Sequence, residues 1–307
     1  MLSPRHLLLL ACLSAAPLHA HDELDSESRQ RPLNQDLLLN EEGEGPIPKI
    51  MAGWYQDQDT DLDAGGTFSS REFRLRAPLY GTSIGDDLRI GVLAKYSYQQ
   101  IETSSDAGLY DHDLHRLTLD MVTYYNRQDS PWFFWGRVAP GIAYDLDAEL
   151  SDAVTGSLIA SVGYKFSETF SFAAGAYAGE SFGEFVVYPA VGFRWDVHEY
   201  LRLELVPPSL TLTWEPIDRA KIHLSAFPGG GGWAIETDDD RFDEIDYRNI
   251  RIGVGVDYEL RTRLWASAWT GANLFQKLEY REDGHVRYES DLDDSVFFFL
   301  GLRYEIW

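Results

Sequence analysis

The stretch Phe298-Phe-Leu-Gly-Leu-Arg-Tyr-Glu-Ile-Trp307 decides the fold class of this chain. Its residues at 298, 300, 302, 304 and 306 are all apolar or aromatic, and they alternate with Phe299, Gly301, Arg303 and Glu305. Because successive side chains of a β-strand point to opposite faces, this pattern predicts a strand with one apolar face. Trp307 is out of phase with that face, and we expect it to act as an anchor at a membrane interface.

The same alternation recurs from residue 47 onward, in segments of similar length that are separated by Gly, Asp, Ser and Pro. Leu117, Leu119 and Met121 alternate with Arg116, Thr118 and Asp120. We find no helical period in this part of the chain, so the sequence predicts an all-β protein. Three further segments alternate in the same way, with apolar residues at Phe73, Leu75, Ala77 and Leu79; at Ile90, Val92, Ala94, Tyr96 and Tyr98; and at Ile250, Ile252, Val254, Val256 and Tyr258.

The lengths of the segments and of their connections favour a membrane barrel over the alternative, a secreted β-sandwich. Roughly nine to eleven tilted residues cross a bilayer, whereas soluble strands average about five or six. Outer-membrane barrels have short turns at one end and longer loops at the other. Here, longer acidic connections near 58–68, 103–112, 146–152, 238–246 and 282–293 interleave with tight ones at 81–87, 127–131, 167–169, 196–200 and 260–263.

This alternation of connections also predicts the strand number. If 201–214 were one strand, the acidic connection at 238–246 would emerge at the wrong end, so Pro207 and Pro208 must turn the chain. The prediction is an antiparallel transmembrane up-and-down β-barrel over 47–307, with fourteen strands, two of them short, or twelve full strands and a hairpin. Both numbers are even, as is usual for single-chain barrels.

The N-terminal residues have the layout of an export signal. Arg5 and His6 precede an apolar run over 7–16, and small residues lead to a cleavage point after Ala20. The run is too short to span a bilayer as a helix, so we predict that residues 1–20 are a signal peptide that is removed. Removal would also take away Cys12, the only cysteine. Residues 21–46 are polar and aperiodic, which predicts a periplasmic tail or linker.

The composition restricts the binding partners. A net charge of -24 argues against nucleic acid, which needs clustered Lys and Arg. Aromatic residues make up 14% of the chain, including nine Trp, and Tyr and Trp favour membrane interfaces. We therefore predict the outer membrane of a Gram-negative-type bacterium as the location. The expected partners are its lipid, lipopolysaccharide and the barrel assembly machinery, and any envelope protein partner stays open.

The chain resembles two families of bacterial barrels. The segment Leu201-Arg-Leu-Glu-Leu-Val-Pro-Pro-Ser-Leu210 is similar to an outer-membrane β-barrel family with no assigned function. More distantly, the chain resembles the MltA-interacting outer-membrane barrel family. The C-terminal strand also resembles the signal that the barrel assembly machinery reads. These resemblances imply a barrel over about 47–307, and they transfer no catalytic residue.

Inward-facing cations are the first candidate site. In a barrel, they would form a basic patch on one wall of the lumen, and charged rings of this kind select ions in pores. The patch could line a path for an anion, or it could belong to an ion-pair network that fills a narrow interior. The residues are Arg74, Arg76, Arg89, Lys95 and Arg116.

An acidic loop is the second candidate. From Asp61, the spacing of Asp63, Gly66 and Glu72 partly matches a calcium loop, although Gly65 stands where a ligand is normal. The sequence favours a solvated acidic loop and no cofactor. The alternative is a calcium site with Asp57, Asp59, Asp61 and Asp63 as ligands. Further acidic residues at 238–240, 243, 244 and 246 form a second cluster that could hold divalent cations.

Three other motifs suggest no chemistry. Gly179-Glu-Ser-Phe-Gly183 fits the hydrolase nucleophile motif, but a strand follows where a helix is needed, so a hairpin turn is expected. Gly229 to Gly232 predict a bulge or close packing against a wall. Five histidines have no spacing that fits a barrel-embedded hydrolase, and we expect them at interfaces or in loops: His112, His115, His198, His223 and His285.

The predicted function is that of a non-enzymatic barrel, either a narrow pore or a binder for a small solute. The basic patch favours an anion. The alternative is a closed barrel that acts as a scaffold of the envelope through the tail at 21–45.

Overall fold

The computed structural model describes residues 49–306, apart from 64, 86, 105–108, 110, 128, 182–183 and 238–240. The predicted signal peptide, the tail at 21–46 and Trp307 lie outside the described residues. Within them, no helix has the length and apolar character of a membrane-spanning helix. The strands are β1 Lys49–Asp57, β2 Thr60–Asp61, β3 Thr67–Ile84, β4 Leu88–Ser104, β5 His112–Asn126, β6 Trp132–Tyr144, β7 Val154–Lys165, β8 Phe170–Ser181, β9 Glu184–His198, β10 Leu201–Val206, β11 Ser209–Ile217, β12 Ala220–Ala234, β13 Glu244–Arg261, β14 Leu264–Glu282, β15 His285–Leu292 and β16 Ser295–Glu305.

The strands form a closed antiparallel ring. Each strand pairs with the next along the chain, and β1 pairs with both β3 and β16, which closes the barrel. The short β2 lies on β3, and β15 pairs with the outer end of β14 and bridges to Leu62 through Leu292. Leaving these two out, the ring contains fourteen strands. The predicted up-and-down barrel and its larger strand number are confirmed.

The predicted two faces of each strand are also confirmed. On β16, Leu300 and Leu302 point outward and are 67% and 52% exposed, whereas Arg303 and Glu305 point inward and are buried. The predicted apolar sets on β5 and β13 face outward in the same way. An outer surface of apolar side chains around a polar interior is the arrangement of outer-membrane barrels.

The connections match the predicted alternation, with one exception. Tight turns such as 85–87, 199–200 and 262–263 lie at the end where β1 begins and β16 ends, which is the periplasmic end in this orientation. The segment 282–293 was predicted to be a long loop, and this is wrong. It is a two-residue turn at Asp283 and Gly284 followed by β15, because the alternating residues of 285–292 pair with β14.

The predicted turn at Pro207 and Pro208 is confirmed, and it leaves a gap in the wall. The hairpin β10–β11 pairs with β9 only up to Phe193 and with β12 only up to Ala226. Beyond the hairpin tip, β9 and β12 are neighbours in the ring, but no residue pair joins them. The wall is therefore open between the extracellular halves of these two strands.

The extracellular half of β12 bends into the lumen and docks on the opposite wall. Ala234 pairs with Tyr144 of β6, and the backbone N–H of Asp145 donates to the carbonyl of Ala234 at 3.1 Å. Arg116 donates to the carbonyl of Gly232 at 2.7 Å. A Cβ at Gly231 would collide with the Arg116 guanidinium, so the glycines allow the close packing that the sequence predicted.

A hydrophobic cluster fills the extracellular end of the lumen on the β13 side of this crossing. It contains side chains from the barrel strands and from the connections between them. We call this cluster the extracellular plug. Trp233 of β12 belongs to it, so the inward bend of β12 helps to form the plug. The other buried members are Leu62, Phe68, Ile101, Leu109, Leu114, Ala143, Ile235, Ile245, Tyr247, Leu278, Tyr280 and Leu292.

Candidate functional site: two cavities in the lumen

A cavity of about 300 Å³, the basic cavity, lies in the lumen between β1, β3, β4, β5, β6 and β12. Its roof includes Trp233, and its floor includes Met51. Its ionisable lining consists of one carboxylate, Glu72, and five cations, namely Arg74, Arg76, Lys95, Arg116 and Arg137. Ligand pockets start at about this size, so the cavity suits a small molecule.

Two inward carboxylates hold three of these cations in place. Arg74 Nε lies 2.6 Å from Glu72 Oε1. Asp120 is fully buried, and its two oxygens lie 2.7 Å from Lys95 Nζ and 2.9 Å from Arg137 Nη2. The cations are therefore part of an ion-pair network, and they also form the wall of a cavity. The ion-pair network is present, whereas the binding of an anion beside it stays a prediction.

Arg116 is held by β12, across the lumen from its own strand. Its guanidinium lies over the Trp233 ring, with 5.0 Å between Cζ and the ring centroid, and it donates to the Gly232 carbonyl. The contact joins residues that are 116 positions apart in the chain. The inward bend of β12 thus fixes one cation of the cavity.

The structure places four of the five predicted lumen cations together. Arg89 lies toward the periplasmic end of β4, opposite Ser83 and Tyr124, and it is not among the residues that line the basic cavity. Arg137 was not predicted. The signal was present, because Arg137 is the only charged residue in the apolar strand Trp132–Tyr144.

A second cavity of about 370 Å³, the apolar chamber, lies on the other side of the lumen between β5 and β10. On the β5–β7 side it is lined by inward aromatic and aliphatic side chains, including Tyr124, Phe133, Trp135 and Ile159, which are buried. The charged residues of its lining include Lys165, Arg194, Asp196 and Glu204. Sequence alternation did not reveal this chamber, because β6 is apolar on both faces apart from Arg137.

Two further networks fill the lumen on the β13 and β14 side. In the first, Arg251 lies 3.1 Å from Asp57 and 3.6 Å from Glu72. In the second, Asp257 lies 3.4 Å from Arg303 and 3.5 Å from His223, and it accepts a hydrogen bond from Ser267. All these charged groups are buried, so their side chains occupy this part of the interior.

His223 corrects one prediction. It was expected at an interface or in a loop, but it is fully buried in the lumen, stacks on Trp269 and bonds Thr213 at 3.1 Å. Its neighbours in the alternation, Lys221 and Ser225, are also buried and polar. Ser267 bonds Asp257 and not His223.

The predicted calcium ligands are separated. Asp57 points into the lumen and pairs with Arg251, whereas Asp59, Asp61 and Asp63 are exposed at the extracellular rim. Within the described ranges, no group of three or more His, Cys, Asp or Glu side chains has the arrangement of a metal site. Residues 238–240 of the second acidic cluster lie outside the described residues. Calcium in these loops stays a prediction.

The hydrolase-like motif falls where β8 ends and β9 begins. Gly179 is in β8, and β9 begins at Glu184, so a strand follows the motif where the hydrolase elbow needs a helix. Residues 182 and 183 lie outside the described residues. The expected hairpin connection agrees with the bounds of the two strands.

A family model for a domain of unknown function, DUF6268, matches residues 57–305, which is nearly the whole barrel. The chain belongs to the DUF6268 family. This agrees with the predicted membership of a barrel family with no assigned function. No curated protein is significantly similar to the chain.

The DUF6268 barrel also matches solved structures of outer-membrane barrels. A Pseudomonas aeruginosa FadL homologue is 10% identical, with 85% of this chain and 90% of that chain covered and a TM-score of 0.42. The Pseudomonas putida toluene transporter TodX is 12% identical, with 85% and 90% covered and a TM-score of 0.33. The KdgM porin is 8% identical, with 83% and 98% covered and a TM-score of 0.32. Sequence identities and TM-scores this low give no information about a solute.

Proposed function

We propose that the barrel binds a small anionic solute in the basic cavity and does no chemistry on it. The observation that carries this proposal is the charge of the lining, in which five cations face one carboxylate within a chain of net charge -24. A chain with so few cations has gathered five of them around one space. Low-dielectric walls strengthen the attraction of such a group for an anion.

The kind of anion follows from the donors. Arginine presents a planar fork of N–H groups that matches carboxylate and phosphate oxygens, and four of the five cations are arginines. The volume of about 300 Å³ limits the solute to a small organic acid or a phosphorylated metabolite. Trp233 and Tyr55 add aromatic surface beside the guanidinium groups of Arg116 and Arg74.

Calorimetric titration of the purified barrel in detergent tests this proposal, with inorganic phosphate, succinate and benzoate as probes. Arg76→Gln and Arg137→Gln should each weaken binding by about tenfold, which is about 1.4 kcal/mol. Arg71→Gln is the matched control, because Arg71 is half-exposed and pairs with Glu102 away from the cavity. If none of the probes binds at millimolar concentration, or if the three variants behave alike, the proposal is wrong.

A closed scaffold barrel is the second candidate, and the extracellular plug supports it. The hydrophobic cluster and the buried networks of Arg251 and Arg303 occupy much of the lumen. Planar bilayer recordings separate a pore from a closed barrel. An anion-selective conductance would favour a pore, whereas binding in the calorimeter without conductance would favour a closed binder.

The cellular setting forms part of the same proposal. We infer insertion in the outer membrane of a Gram-negative-type bacterium, after removal of residues 1–20, with lipid and lipopolysaccharide around the apolar band and the assembly machinery acting on β16. Mass spectrometry of the protein from outer-membrane fractions tests both points. An intact residue 1, or recovery only from the soluble fraction, would contradict them.

A further inference from the structure

We propose that the apolar chamber opens sideways into the bilayer and admits an acyl chain of a membrane lipid. This goes beyond the proposed function, because it concerns another cavity and another class of ligand. The feature behind it is the short hairpin β10–β11, whose tip at Pro207 and Pro208 ends below the rim of the barrel.

The gap lies at the depth of the hydrocarbon core. The hairpin covers only the Phe193–His198 part of β9, counted from the periplasmic turn. A tilted strand needs roughly nine to eleven residues to cross a bilayer, so the wall beside β9 stops about halfway across. The medium that faces the opening is therefore lipid hydrocarbon.

The two strands that border the gap are adapted to being edges. An open sheet edge is not tolerated against lipid unless it lines a cavity, because each unpaired N–H or carbonyl group is costly there. Pro189 of β9 and Pro228 of β12 lie beyond the last residue pairs with the hairpin, and proline has no N–H to leave unpaired. On β12, the carbonyls of Gly232 and Ala234 bond Arg116 and Asp145.

The chamber reaches this gap. Its lining includes Ala190, Gly192 and Pro207, which lie at the edge of β9 and at the hairpin tip, and also the outward-facing Val191 and Leu205. The lumen has space beside Ala190 because the inward-facing residues of β8 at this level, Ala173 and Gly175, are small. The apolar surface therefore continues from the outside of the barrel, past the hairpin tip, to Trp135 and Ile159.

The shape and chemistry favour a flexible apolar chain. Trp135 and Ile159 at the inner end offer dispersion contacts and no charge, and each CH₂ group that leaves lipid for this chamber exchanges one apolar environment for another. Lys165 lies next to the periplasmic turn, and the paired residues Arg194 and Glu204 lie one position below the last β9–β10 residue pair, at the lower border of the gap. A chain that enters above this pair meets Gly192 and Ala190 first.

The test measures whether lipid chains reach the chamber. The full chain with Cys12→Ser has no cysteine, so a bimane fluorophore can be attached at Ala173→Cys and the protein reconstituted in phosphatidylcholine vesicles. Phosphatidylcholine that is brominated on its acyl chains quenches the fluorophore on contact. Ala174→Cys, the next residue of β8, faces lipid and sets the upper limit, and Ser97→Cys in the basic cavity sets the lower limit.

We expect quenching at position 173 to lie closer to that at 174 than to that at 97. Adding Ala190→Phe should narrow the entry and lower the quenching at 173, whereas Val162→Phe, which points outward from β7 and does not line the chamber, should not. If labelling at 173 lowers the folded yield, Ala190→Cys with Val191→Cys as its lipid-facing control gives the same comparison. Quenching at 173 as weak as at 97, or stronger quenching there by aqueous iodide than by lipid, would overturn the proposal. Neither result depends on anion binding.

Discussion

Arg116 of β5 reaches across the lumen to the backbone carbonyl of Gly232 in β12, at 2.7 Å. The contact compensates for the short hairpin β10–β11, which leaves the extracellular half of β12 without a partner on that side. It also divides the lumen, with the plug and the basic cavity on one side and the apolar chamber on the other. One side chain thus links the architecture of the wall to the candidate site.

Removing this contact should destabilise the barrel. Arg116→Ala leaves the partly buried carbonyl of Gly232 without its donor and removes the cation from the Trp233 ring, and a fully buried polar group left unpaired would cost about 1–3 kcal/mol. Urea titration of the protein in lipid vesicles, followed by tryptophan fluorescence, measures the loss. Arg71→Ala, which breaks only an exposed ion pair, should lower the free energy of unfolding by less than about 1 kcal/mol. Equal losses in the two variants would contradict a structural role for Arg116.

The buried ion pair between Arg251 and Asp57 should behave as a unit. Arg251→Met leaves the buried carboxylate of Asp57 without its arginine, whereas Glu72 keeps its pair with Arg74, and breaking a buried pair costs about 3–5 kcal/mol. The double variant Asp57→Asn with Arg251→Met should cost less than the sum of the two single changes. A double-mutant cycle of unfolding free energies checks this, and additive losses would mean that the two residues do not interact.

Much of this fold could be predicted from the sequence, because the information is local. Alternation along a strand determines which side chains face lipid. The long connections must all emerge at one end of the barrel, and this required a turn at Pro207 and Pro208. His223 could have been placed in the lumen by the same rule, since Lys221 and Ser225 share its face. The prediction was wrong because it placed all five histidines together, as interface or loop residues, and did not use the position of His223 in the alternation of its strand.

The candidate site could be predicted only in part, because it depends on contacts distant in sequence. Nothing near Arg116 in the chain indicates that its partner is Gly232. The apolar chamber depends on inward aromatic residues of β6, such as Phe133 and Trp135, in a strand that is apolar apart from Arg137. That one charge is the only polarity signal for the inward face of β6, and the pairing with β5 and β7 places the two aromatic residues in the wall.

A charge in the middle of the outer surface should report the membrane depth directly. Leu300 is the central residue of β16 and points outward, whereas Tyr304 lies near the periplasmic end on the same face. Arginine on the lipid face of a barrel costs about 2–4 kcal/mol at the midplane and about 0–1 near the interfaces. Leu300→Arg should therefore lower the unfolding free energy in vesicles by much more than Tyr304→Arg. Similar losses at the two positions would contradict the predicted depth of β16.

The extracellular end of β14 should lose stability at acid pH through Glu279. This residue pairs with the β15 hairpin beyond the last β14–β16 residue pair, so it lies outside the membrane-spanning part. Burial alone would raise the pKa of Glu279, but hydrogen bonds from Lys277 and Arg281 and the charge of Arg248 lower it below the usual value of 4.5. The carboxylate is charged in the folded state down to a lower pH than in the unfolded chain.

The sign of the pH effect follows from this lowered pKa. The stabilisation by Glu279 is complete above its unfolded pKa of 4.5 and is lost as the pH falls through the lower, folded pKa. Glu279→Gln should therefore destabilise the barrel at pH 7 and make progressively less difference below that range. Glu282→Gln is the matched control, because Glu282 pairs with Arg287 at the exposed end of the same strand. Urea midpoints of the three proteins across this pH range measure the effect. A difference between Glu279→Gln and the parent that stays constant with pH would contradict the assignment.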